Sequence, residues 1–123
     1  MRVHRKEKHT VKVKTLEERV ARGVKLMNTQ YGRWWLRQID LEVLALQDGS
    51  ACIIGQVEGE FTRDNLAKIG LDLHTAKEFG LDLFDEDCGD SGWNGNESEQ
   101  LWTRLTNVWR RAIKREKKLW SKE

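Results

Sequence analysis

A chain of 123 residues is the length of one domain and can bury about two-thirds of the surface its unfolded form exposes, which excludes multi-domain readings. Charged residues make up 34%, and the absence of Pro with one Tyr and three Phe favours helices over a sheet. Net charge is only +2, but residues 1–14 carry +5 and residues 101–123 carry +6 around a middle of −9, so charge separates along the chain.

Residues 1–14 have no helical periodicity and read as a flexible basic arm. Thr15 and Glu18 make a capping box, after which Leu16, Val20, Val24, Met27 and Tyr31 mark one face of a helix that Gly32 stops. The stretch Arg33–Gly59 is the richest in apolar and aromatic residues and is expected at the centre of the fold. Within it Asp40 is expected to cap a helix over Leu41–Leu46, Asp48-Gly49 to break it, and Ser50 to cap Ala51–Val57. That last segment is apolar on most sides and belongs inside. Gly55 within it costs about 1 kcal/mol relative to Ala, which implies that another backbone or a Trp packs on its bare side.

Phe61 and Thr62 then introduce a short helix to Ile69, and Thr75, boxed with Glu78, starts another that ends at Gly80. Their ends are near copies, AKIGLDL from Ala67 and AKEFGLDL from Ala76, and read as two similar helix stops. Asp85–Glu97 is irregular, and Asn96, with Glu99 at the third position, is the expected cap of the last helix. Its stripe is Leu101, Leu105, Val108, Trp109, Ala112 and Ile113, extended by Trp120. Past Ile113 the charged run KREKKLWSKE is expected to leave the body and fray. The organisation that follows is an arm over 1–14, a helical domain over 15–113 and a charged helical extension over 114–123.

The capped helix TLEERVARGVKLM, the segment WWLRQIDLEVLAL, the signature formed by Cys52, Gly55 and Gln56, and the closing Trp-containing basic helix together resemble a group of small helical proteins of unknown function from actinobacteria and actinobacterial phages. The resemblance covers roughly residues 15 to 113 and implies a helical fold and an origin, but no activity. Many members carry a second Cys three residues before the first. This chain has Gly49 there, which removes the ground for a shared metal or disulfide role.

No spacing of reactive side chains specifies a chemistry. A helix-turn-helix read into residues 62–80 would have Lys77 as the only base of its second helix, with Asp72, Glu78 and Asp82 around it, against the positive flanks that phosphates require. The acidic loop 85–97 fits no calcium-loop register: a start at Asp85 puts Asp90 at the glycine position, and a start at Asp90 puts Leu101 at the glutamate position. Cys52 and His74 lack a third group, and although His4 and His9 stand at a ligand spacing, no C-x-x-C or second pair accompanies them, so with Cys88 they would form a zinc site only by coincidence. Two cysteines fit a reducing compartment, and no apolar run approaches the roughly 18 residues of a membrane span.

The expectation is therefore an all-α, compact single-domain bundle of about five helices, two long and three short. Val20, Val24, Trp34, Trp35, Ile39, Leu44, Cys52, Ile53, Gly55, Leu105 and Trp109 form its core. The function expected is non-enzymatic: binding of a host or phage macromolecule in the host cytoplasm, with no cofactor, metal or membrane. Trp93 and Trp120, exposed beside charges, and the basic residues Arg110, Arg111, Lys114, Arg115, Lys117 and Lys118 are the candidate contacts for a protein partner or a second copy of the chain. The alternative is a non-specific nucleic-acid-associated protein that uses its basic termini.

Overall fold

The computed structural model describes residues 12–84 and 95–121, with side chains from 16 to 84 and from 98 to 121. Among these residues there are six helices and no strand. Two are long, α1 (Lys12–Tyr31) and α6 (Gly95–Ser121). Four are short: α2 (Trp34–Gln38), α3 (Ile53–Glu58), α4 (Arg63–Ala67) and α5 (Thr75–Glu78).

α1 buries the face its periodicity marks, with Leu16, Val20, Val24 and Met27 inside and Tyr31 half-buried. It begins at Lys12, so Thr15 lies within its first turns and is not the expected cap. Val13 stands three residues before Leu16, and the apolar period thus continues past Thr15. Gly32, at φ 64°, ends the helix by donating to the Asn28 carbonyl.

The expected helix over Leu41–Leu46 is a run of turns instead. Asp40 does accept from the Glu42 N–H, as a cap would. The next helical bond is never made, because the Leu41 carbonyl receives the Arg110 guanidinium at 3.1 and 3.2 Å. The Ala45 N–H turns to the Ala51 carbonyl and the Leu46 N–H to the Thr106 hydroxyl. Tertiary donors and acceptors thus replace the helical ladder, while Leu44 and Leu46 are still buried.

Ser50 caps nothing; its N–H and hydroxyl both donate to the Asp48 carboxylate. The cap of α3 is Cys52, whose sulfur accepts from the Gly55 N–H at 3.3 Å. Gly55 meets another backbone, as its helical cost implied: a Cβ there would collide with the Gly49 carbonyl and lie 2.6 Å from the Ser50 carbonyl carbon. Thr62 caps α4 through the Asn65 N–H. α5 has His74 at its N-cap with no side-chain cap bond, so the expected Thr75–Glu78 box does not form. The Asp72 carboxylate accepts from the Thr75 N–H, and the Thr75 hydroxyl accepts from the Asp72 N–H.

The two near-copies end alike. Leu71 donates to Leu66 and Leu81 to Ala76, each across five residues, around left-handed Gly70 and Gly80. Both leucines fold back into the core.

α6 starts at Gly95, which places Asn96 inside the helix and not at its cap. It does not leave the body after Ile113. Glu116 accepts from the Asn28 amide at 3.3 Å, and Trp120 packs against the core. Trp35 and Trp109 meet edge to face at 6.2 Å in the centre, both fully buried. Each indole N–H has an acceptor: Asn28 Oδ1 at 2.7 Å for Trp35 and the Gly80 carbonyl at 2.6 Å for Trp109. Of the expected core, Trp34 is the exception at 66% exposed.

Trp109 also lies on Gly23, where a Cβ would stand 2.7 Å from two atoms of the indole. Propensity alone would make Gly23→Ala stabilising by about 1 kcal/mol. The overlap reverses the sign, and chemical denaturation should show a loss of about 1–3 kcal/mol. Trp109→Ala should cost about 3–5 kcal/mol in the same measurement.

Candidate functional site

Successive residues on a helix point about 100° apart, so an inward face that takes Trp35 and Leu36 turns Trp34, about 200° from Leu36, away from the core of the five-residue α2. Trp35 and Leu36 go in, and Trp34 remains outside. Arg37, three residues further on, shares the Trp34 face. Its guanidinium carbon stands 5.2 Å from the Trp34 ring centre and 4.9 Å from that of Trp120 at the far end of α6. Cation–π attraction holds one cation against two indoles and so ties α2 to the last turns of α6. Beside it opens a concavity of about 450 Å³ bounded by Leu36, Arg37, Lys117, Trp120 and Ser121.

The basic residues of α6 divide by helical angle. Arg110, Lys114 and Lys117 recur at spacings of four and three on the flank of α6 that ends at this ledge, whereas Lys118, seven residues after Arg111, falls beside Arg111. Arg111 and Arg115 fall on the other flank, where they line a groove of about 240 Å³ between α1 and α6 together with Glu17 and Glu116. That groove carries both signs of charge, whereas the ledge carries cations only. Arg110, expected to contact a partner, is a structural tether instead, bound to the Leu41 carbonyl and to Asn107 Oδ1. Trp93, the second aromatic candidate, lies outside the described residues. Arg37 and Trp34 were not expected at the surface site. Their i, i+3 spacing next to a second Trp is the signal that points to them.

The residues considered for catalysis do not come together. Cys52 is buried, and its desolvation raises the thiol above the ordinary range, so it stays protonated at neutral pH. Gln56 is held by backbone groups: its Oε1 accepts from the Asp40 N–H, and its amide donates to the Asp40 and Ala51 carbonyls. His74 lies on a separate shallow concavity with Arg63, Leu71 and Asp72. The second helix of the helix-turn-helix reading, α5, has only four residues. Among the described residues no three His, Cys, Asp or Glu side chains group in a way that could hold a metal ion, and no helix is long and apolar enough to cross a membrane. His4, His9, Cys88 and the acidic loop from Asp85 to Asn94 lie outside the described residues.

A second polar cluster ties α1 to α3 and α4. The Tyr31 hydroxyl donates to Glu58 at 2.6 Å, and the Lys68 ammonium donates to the same carboxylate at 3.1 Å. Burial, then the Glu58 charge, raises the tyrosine well above its ordinary range, while the tyrosine hydroxyl and Lys68 lower Glu58.

Compared with protein-family models, with curated proteins and with solved structures, the chain matches none.

The Tyr31–Glu58 pair fixes a pH dependence. Folding lowers Glu58, so its contribution is complete above the ordinary value of about 4.3 and is lost as pH falls through the lower folded value. Folding raises Tyr31, so its contribution is complete below about pH 10 and is lost as pH rises through the folded value. The chain has a single tyrosine, which makes tyrosinate absorbance an unambiguous probe. Native protein should ionise later than free tyrosine, and Glu58→Gln should move that midpoint down only part of the way, since burial persists.

Proposed function

We propose that the chain is a non-enzymatic binding protein, a compact helical bundle of actinobacterial or actinobacterial-phage origin. It works in the host cytoplasm by docking a macromolecule on the ledge of Trp34, Arg37 and Trp120. The observation that carries this reading is the contrast between adjacent tryptophans: Trp35 is fully buried, and Trp34 is left 66% exposed against an arginine. A fold that buries Trp109 and Trp35 completely has no packing use for an indole in solvent. Trp and Arg are the residues most enriched where binding energy concentrates. The origin rests on the motifs around Trp34-Trp35 and Cys52, Gly55 and Gln56 that resemble the actinobacterial group.

The test uses immobilised full-length chain and its Trp34→Ala variant, each exposed to actinobacterial lysate with and without phage infection. Trp34 is a surface residue, so the variant's melting should match wild type within about 0.5 kcal/mol. Wild type should retain a stoichiometric macromolecule that the variant loses. Identical retention by both, or turnover of a substrate with nothing retained, sinks the reading.

A further inference from the structure

We propose that the occupant of the ledge is single-stranded nucleic acid. A base would stack on the open face of Trp34, and the phosphates would be met by Arg37, Lys114 and Lys117. The inference rests on the docking reading and names its partner class.

Two features select this occupant. The first is the kind of cation around the aromatic centre. Protein interfaces concentrate apolar area at their centre and are depleted in lysine. Here Arg37 lies over both indoles, Lys117 borders the same concavity, and Lys114 continues the flank. Among the described residues these two lysines have no acidic partner within ion-pair distance. Their mutual repulsion at three-residue spacing disfavours the bare helix and is relieved by a polyanion threaded along it.

The second feature is the indole itself. Trp34 is an exposed flat face beside a cationic track, the combination on which unpaired bases stack without regard to sequence. A duplex presents phosphates but keeps its base faces stacked inside, so it would use the lysines and leave Trp34 idle. An acidic peptide has carboxylates for the lysines but no ring that must cover the indole. The part-exposed Trp120 ring on the wall of the concavity gives the sugar of the stacked nucleotide an apolar surface.

The experiment is a fluorescence-anisotropy titration at low salt of full-length protein against a labelled oligothymidylate of about 20 nucleotides, with the matched duplex, polyglutamate and anionic phospholipid vesicles as competitors. The single strand should bind more tightly than the duplex. Trp34→Ala should weaken it by about tenfold to a hundredfold, and Trp34→Phe should restore most of the loss. Lys114→Gln and Lys117→Gln should each reduce the slope of log affinity against log salt by roughly 0.7.

Equal affinity for duplex and single strand, or a Trp34→Ala variant that binds as well as wild type, overturns the inference. So does displacement of the oligonucleotide by polyglutamate or vesicles at matched charge. Absence of oligonucleotide binding overturns it as well. In that case the docking reading stands if lysate retention still depends on Trp34 and falls with it if retention does not.

Discussion

The rest of the structure depends on how the Trp109 indole is seated. One face needs a backbone without a side chain, and Gly23 provides it in mid-helix. Its N–H needs an acceptor in an otherwise apolar interior, and the Gly80 carbonyl provides that at 2.6 Å. Gly80 can turn its carbonyl there because it adopts φ 72° at the end of α5, close against Val20. A single side chain thus sets the approach of α1, α5 and α6 together. Trp35 completes the centre by meeting Trp109 edge to face and bonding Asn28, whose amide reaches Glu116 on α6. Glycine at 23 weakens α1 locally, and the burial of a whole indole outweighs that loss.

What was legible in the sequence was whatever is decided within about five residues. The stripe of α1, the glycine stops at 32, 70 and 80, and the Thr62 cap all rest on neighbours in the chain. What was not legible is decided across the fold. Asp40 opens a turn as a cap should, and only Arg110 and Thr106, some sixty to seventy residues away, divert it from becoming a helix. Cys52 outcompetes Ser50 as a cap because Asp48 has already engaged the serine, leaving the sulfur nearest the Gly55 N–H. Gly23, a lone glycine inside a strong helical period, likewise marks a close approach, here of Phe79 and Trp109. There too the cost to the helix is the visible trace of a packing partner.

The candidate site shows the same boundary. Trp120 and the bases after Ile113 were readable as a charged and aromatic end, and α6 carries them as one continuous helix. That the end folds onto α2 was not readable, because Arg37 and Trp120 meet only in three dimensions. Trp34 and Trp35 are neighbours in the chain, but α2 turns Trp35 and Leu36 inward, and that choice of face, made by the rest of the fold, leaves Trp34 outside. Arg110 shows the converse. Its charge suggested a surface role, but the unused Leu41 carbonyl engages its guanidinium.

The turn segment from Leu41 to Ala51 has a consequence for the order in which the chain folds. Its anchoring bonds to Thr106 and Arg110 span 60 and 69 residues. Closing loops of that length must precede any gain from those bonds, whereas α4 and α5 close their ends within five residues. The bonds that join Leu41 and Leu46 to α6 are therefore lost together if α6 lifts away, whereas the bonds that Asp48 accepts from Ser50, Ala51 and Cys52 do not depend on it. Hydrogen exchange at the Leu46 amide, which is sealed by the Thr106 hydroxyl, reports the docking of α6 rather than the stability of any local helix.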